Sequence, residues 1–244
     1  LHYWSNVQPA LARLQHASEQ IRLRQVNEVW LSMPPTLAAK WFAPRMAGFL
    51  AQRPDISLHL GATTAISDFE RDRVDLAIRY FDGEDASLES ALLYRDEARL
   101  YCAPDYVKEL RLQTPDDLVR ATLLHTTLQP FWKLWLQHFS TLSDTQIDTI
   151  PRLHFDQSLL AIETARYGQG AVLSSPILTE TEMRDGTLCE PFACRLPLTK
   201  GYYLVHHKST PLRPAALALK NWLLHVSRSE SALRTAHFVP HDNP

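Results

Sequence analysis

The sequence predicts an α/β fold built on mostly parallel sheet, and three observations carry that expectation. Short apolar runs alternate with amphipathic ones along most of the 244 residues, the rhythm of strand followed by helix. One run, Val74-Asp75-Leu76-Ala77-Ile78-Arg79, is apolar enough for a strand covered on both faces, as parallel strands are. Helix punctuation falls between the runs. Thr114-Pro115-Asp116-Asp117 has a hydroxyl cap, proline at the first helical position and acids in the first turn, while Arg53-Pro54 and Gly168 sit where helices should stop.

The elements follow in order. Trp4, Val7, Leu11, Leu14 and Ile21 recur at alternating spacings of three and four, with Ser18 in the skipped place. That is the seam of a coiled coil or of a helix packed on its own domain, with Pro9 in a first turn or at a kink. Asn27–Ser32 reads as a buried strand, and Thr36–Arg53 as a helix with Leu37, Trp41, Phe49 and Leu50 inward and a kink or restart at Pro44. Ile56–Leu60 is the next strand, Ile66–Arg73 a short helix, Val74–Arg79 a strand, and Leu100–Ala103 a short one. Thr114 starts a helix, and Thr122–Thr126 ends a strand. Phe131, Trp132, Trp135 and Phe139 form an aromatic core stripe at helical spacing. Arg152–Phe155 is a strand, Asp156 caps a helix over Ser158–Tyr167, and Ala171–Ser174 is a strand again. Ile177–Arg184 is helical, Gly201–His206 a strand and Arg213–Arg228 an amphipathic helix. The final polar residues form a tail.

Composition excludes several classes. Hydrophobic residues make up 45% and charged residues 21%, which fits a packed core rather than disorder. No apolar run approaches the ~18 residues of a membrane span, and no signal-like segment opens the sequence. Cys102, Cys189 and Cys194 cannot all pair with one another and form no CxxC, so neither a disulfide framework nor a structural zinc site is expected, and a reducing cytoplasm fits. The net charge of −2 lacks the basic excess of a nucleic-acid grip. Seven glycines include no phosphate-cradling cluster; Gly168-Gln169-Gly170 reads as a helix cap and turn. No HExxH or GxSxG appears, and His206-His207 point to opposite faces of a strand, so no metal, cofactor or enzymatic activity is expected.

Five stretches then carry a resemblance. WFAPRMAGFLAQRPDISLHL, RVDLAIRYFDG, LYCAPDY, TPDDLVRATLLH and FDQSLLAIETARYGQGAVLSS follow one another as they do in the effector-binding domain of LysR-type transcriptional regulators. They are most similar to the subgroup that includes the glycine-cleavage and β-lactamase activators. The resemblance covers Val26 to Val226, and ALARLQHASEQIRLR resembles the end of that family's linker helix. It implies a periplasmic-binding-protein-like fold of the second type: two Rossmann-like subdomains joined by two crossing strands, after a linker helix. The implied bounds are 1–25 for the linker and dimerisation helix, 26–99 plus 199–228 for the first subdomain, 100–198 for the second and 229–244 for a flexible tail. The crossovers fall near Leu100–Ala103 and Gly201–Val205. The family's N-terminal winged helix-turn-helix has no counterpart before Leu1, so promoter DNA would be held only through a segment outside this sequence. A homodimer or homotetramer is implied, with residues 56–60 and 213–228 as candidate surfaces. A solute-binding protein of a transport system, which would need an export signal or anchor, is the alternative.

In an open parallel sheet, ligands sit beyond the carboxyl ends of the strands, where helix starts offer unpaired N–H donors. The candidate binding residues are therefore Ser32, Pro35 and Thr36 after the first strand, Thr63 and Thr64 after the second and Phe81 after the third. His125 and Thr126, Phe155 and Asp156, and Ser174 end later strands, and Tyr203 lies near a crossover. Hydroxyls, aromatics, one histidine and an acid suit a small polar effector with a carboxylate, and an amine held by Asp156 or Asp82.

Overall fold

The structure, a computed structural model, describes residues 27–64, 69 and 74–236, with side chains described to residue 230. The expected linker helix, most of the expected 66–73 helix and the last eight residues lie outside that set.

Two parallel groups of three strands are built by strand–helix alternation. β1 (Glu28–Met33), β2 (Ser57–Ala62) and β3 (Leu76–Phe81) form the first. β5 (Leu123–Thr126), β6 (Arg152–Phe155) and β7 (Ala171–Ser174) form the second. Between them run two long antiparallel strands, β4 (Leu88–Tyr101) and β8 (Arg195–His207). β3 pairs with β8 at residues 201–205, whereas β7 pairs with β4 at residues 99–101. Each group thus hangs on a different end of the same two strands. Hydrogen bonding is continuous, in the order β2-β1-β3-β8-β4-β7-β5-β6, but the register slips between Leu92 and Tyr94 and between Arg95 and Glu97. Such slips bend and twist a ladder, and here they fall where one group gives way to the other. Gly201 lies at the same place. A Cβ there would meet the Tyr94 carbonyl oxygen at 2.6 Å, so only glycine lets the two strands approach this closely.

Both long strands exceed what their sequences suggest. Leu100–Ala103 reads as a short strand, yet Leu100 and Tyr101 end one that starts at Leu88, and Ala103 already caps the next helix. The first half of β4 mixes polar and apolar residues and is held by pairing with β8, a partner about a hundred residues away. The exchange of partners therefore falls near Arg95–Glu97 and Pro197–Gly201, earlier on both strands than expected.

After β1 the chain forms α1 (Pro35–Leu37), a π-helical turn (Ala38–Phe42) and α2 (Ala43–Gln52). The wide turn answers Pro44, which has no N–H to give the Lys40 carbonyl and whose ring would crowd it in a regular helix. Trp41, Phe42 and Phe49 are buried, while Leu50 is 36% exposed and stays outside the core. Further helices are α3 (Pro104–Leu110), α4 (Trp132–Phe139), α5 (Asp144–Thr149), α6 (Ser158–Arg166), α7 (Glu180–Arg184) and α8 (Pro214–Ala236). The last continues into the stretch read as a tail. The helix begun by Thr114 is only a 3-10 segment, Pro115–Arg120, although its cap forms. The Gln113 and Thr114 N–H groups donate to Asp117 Oδ2 at 2.9 and 3.0 Å and hold its pKa down to about 2. Gly168, at φ +70°, closes α6 with its N–H on the Ala165 carbonyl at 3.0 Å.

Two cores result. The second group packs over Trp132, Trp135, Leu118, Ile147 and Leu173, with Trp132 Nε1–H satisfied by the Leu124 carbonyl at 3.0 Å. The first contains Leu31, Phe42, Phe49, Ile78 and Leu223, and Ala161, Ile162 and Ile177 from the second group enter it too. The two groups are packed against each other as well as tied by two strands.

Candidate functional site

The strand ends of both groups converge on one junction. On the first side, β1 ends in buried Ser32, whose Oγ accepts from Arg79 Nη2 at 3.0 Å. Pro34, extended at φ −58°, ψ 139°, leads into Pro35 at the first helical position. Thr36 is buried, and its Oγ1 accepts from Leu159 N at 3.0 Å, in the first turn of α6. A hydroxyl at one helix start thus satisfies an orphan N–H at another, across the junction. Thr63 donates its N–H to the Met33 carbonyl at 2.9 Å, and Thr64 is exposed. Phe81 packs on Tyr203, ring centroids 5.2 Å apart. Pro34, Thr64, Arg79, Tyr80, Phe81 and Leu128 are among the residues lining a cavity of about 220 Å³.

On the second side, β5 ends in His125 and buried Thr126, and β7 in buried Ser174 and Ser175. Thr126 Oγ1, Ser174 Oγ, Ser175 Oγ and His125 Nε2 are all enclosed and make no hydrogen bond. Burial, with His154 and Arg152 adding to it, pushes the His125 pKa down to about 4, so its ring is neutral at physiological pH. Phe155 is half-buried and packs towards the first core. Asp156 departs from expectation. It is exposed, and Gln157 occupies the cap position of α6 with no side-chain cap bond, so the carboxylate neither caps that helix nor faces inward. Asp82 is also exposed, and accepts from the Glu84 N–H at 3.1 Å.

Ion pairs close the same junction. Lys40 Nζ, on the π turn, reaches Glu163 of α6 at 3.0 Å and Glu182 of α7 at 2.6 Å. Burial alone would lower the Lys40 pKa, but the two carboxylates outweigh it and hold it above the ordinary value. Arg45 of α2 reaches Glu180 of α7 at 2.7 Å and also pairs with Glu230 of α8.

Several junction residues were not apparent from the sequence. Asp96 of β4 is 2% exposed, at the register slip. It accepts from Gln129 Nε2 at 3.0 Å and from the Glu97 N–H at 2.9 Å. Burial raises its pKa to about 6, although the Ser175 and Tyr80 hydroxyls flank it closely enough to hold it down without reaching hydrogen-bond geometry. Tyr202, rather than Tyr203, faces this group: it is buried, and its ring lies 5.0 Å from that of Tyr80. A usable signal existed. Asp96, Ala98 and Leu100 share one strand face and all are buried, so alternation would have turned the acid inward had β4 been read at full length.

A cavity of about 440 Å³ lies elsewhere. It sits at the starts of β1 and β3, beside Glu28, Trp30, Asp75, His206 and Arg213. Arg213 Nη2 and Asp75 Oδ2 are already paired there at 2.7 Å, and in parallel sheets ligands gather at the opposite strand ends.

No described helix is long and apolar enough to cross a membrane. The architecture is that of a periplasmic-binding-protein-like α/β domain of the second type. The LysR substrate binding domain family matches residues 8–228, and the chain belongs to that family as the effector-binding domain of a LysR-type regulator. The HTH-type transcriptional regulator PerR of Escherichia coli is 30% identical over 90% of this chain and 73% of its own length. The glycine cleavage system transcriptional activator of the same organism is 27% identical over 93% and 74%. Among solved structures, the effector domain of the transcriptional regulator AmpR of Pseudomonas aeruginosa superimposes with a TM-score of 0.75 at 26% identity, covering 86% of this chain and 99% of that one. These relatives are named as regulators, so the transport alternative gains no support from them.

Proposed function

We propose that this domain senses a small polar, carboxylate-bearing effector in a cleft between two lobes, residues 26–99 plus 199–228 and residues 100–198, and passes its occupancy to the DNA-binding part of a dimeric or tetrameric regulator. Ser32, Pro35, Thr36, Thr63, Thr64, Phe81, His125, Thr126, Phe155, Ser174 and Tyr203 form its rim. The observation that carries the reading is the Thr36–Leu159 hydrogen bond. It brings two helix starts face to face, on opposite sides of the strand exchange. An effector that favours one lobe spacing shifts the spacing equilibrium by its differential affinity, and rigid lobes carry that shift to the dimer surfaces. β2, an edge strand, and α8 are the surfaces proposed for self-association. The wider cleft reading is tested by a thermal-shift screen of amino acids, organic acids and cell-wall fragments, since a ligand preferring the folded state raises Tm. With a hit in hand, isothermal titration of Thr64→Ala and Tyr203→Ala is expected to show at least fivefold weaker binding at unchanged secondary structure. Wild-type affinity in both would remove them from the rim.

A further inference from the structure

Asp96 combines features that a purely structural acid lacks. It is almost fully enclosed, and no Lys, Arg or His pairs with it among the described residues. A buried carboxylate without a cation is costly, and such groups are normally paired or hydrogen-bonded to capacity. Its two bonds, from Gln129 and from the Glu97 N–H, leave acceptor positions on both oxygens. The surrounding polar atoms are unsatisfied too. Gln129 Oε1, Tyr80 Oη and Ser175 Oγ make no hydrogen bond, although Gln129 and Ser175 are at least nine-tenths buried. Native interiors rarely leave so many polar atoms idle in one place. The acceptors come from four places: the strand exchange itself, the end of β3, the turn after β5 and the end of β7. Together they surround the Asp96 charge with oxygens able to accept, and Tyr80 among them also lines the 220 Å³ cavity.

We infer that the effector carries a protonated amine, and that its ammonium group seats against Asp96 with Gln129 Oε1 and the Tyr80 and Ser175 oxygens completing the hydrogen bonds. This rests on the cleft reading above and assigns the ligand its cationic end. An ammonium has three N–H donors and no acceptor, which matches a carboxylate, an amide oxygen and hydroxyls able to accept. The bonds are charge-assisted and lie in a low-dielectric recess, where they are strong. A neutral hydroxyl or a second carboxylate would leave Asp96 unpaired or repelled. The ligand class is thus a small amine that also bears an anionic group for the helix starts near Thr36: an amino acid, a short peptide with a free N-terminus or an amino-sugar acid.

The test uses matched probes that differ only in amine charge: amino acids, dipeptides and muramic acid, each against its N-acetylated form. Binding is read by titration calorimetry and thermal shift on the wild-type domain, Asp96→Asn and Ser175→Ala. The inference expects at least one free amine to bind tenfold or more tightly than its acetylated form. It expects Asp96→Asn to abolish that preference while melting no lower than wild type, and Ser175→Ala to weaken amine binding severalfold with its fold intact. Acetylated forms binding as well as free amines, or Asp96→Asn keeping the preference, would overturn the ammonium assignment and leave the cleft standing. If no probe of either series binds, the cleft reading falls with it.

Discussion

The two sides of the junction differ in how far their hydrogen-bonding capacity is spent. On the β1 side, Ser32 is engaged by Arg79, Thr36 by the Leu159 N–H and Lys40 by two carboxylates. On the other side and at the strand exchange, Thr126 Oγ1, Ser174 Oγ, Ser175 Oγ and Gln129 Oε1 have no partner, and Asp96 has no cation among the described residues. The first side is assembled as it stands and holds the two groups together. The second carries enclosed polar atoms whose desolvation costs about 1–3 kcal/mol each when unmatched. Sites that bind something are expected to look like the second, because stability given up there can be recovered from the ligand.

Replacing residues on each side sharpens this contrast, and Asp96 gives the largest effect. Its folded pKa of about 6 lies above the ordinary carboxylate value of 3.8, so above pH 6 the native state carries a charge that burial disfavours. As pH falls from 6 towards 4, the folded protein takes up a proton that the unfolded chain does not, and this group's contribution to stability rises. Two pH units set an upper bound on the order of 3 kcal/mol. Urea denaturation from pH 8 to pH 4 should show Asp96→Asn more stable than wild type at the alkaline end, the gap closing at the acid end. A constant gap would mean that Asp96 is not charged in the fold. On the opposite side, Lys40→Met strands Glu182, 7% exposed at its side chain, while Glu163 keeps its pair with Arg166 at 2.7 Å. The loss should be about 2 kcal/mol, below the roughly 3–5 kcal/mol of a fully enclosed pair because Glu163 still reaches water. The midpoint of guanidinium denaturation reports it. Smallest are the single hydroxyls. Thr36→Val should cost about 1 kcal/mol by orphaning the Leu159 N–H, while Ser174→Ala should cost less than about 0.5 kcal/mol or stabilise slightly. Equal losses in these two would erase the distinction between the sides.

The parallel groups were legible because their strands are short, apolar and followed by caps. Ala171–Ser174 and Arg152–Phe155 fall where the sequence places them. The long pair was not, since β4 mixes Glu89, Ser90, Arg95 and Asp96 with its apolar residues and owes its length to β8. That miss hid Asp96 and the buried Tyr202 beside it. Asp156 misled for a local reason: an acid just ahead of a helix suggests a cap, but the chain turns one residue later and Gln157 takes the place.

The wide turn at Ala38–Phe42 has one more consequence. A π turn holds one residue more than the α turn it replaces, so the helical stretches on either side keep the facing they would have without that residue. Excising exposed Ala39 should therefore leave Phe49 pointing inward, although the tightened turn would press the Pro44 ring against the Lys40 carbonyl. The same excision inside Ala43–Gln52 would swing everything beyond it by about 100° and carry Phe49 off the core.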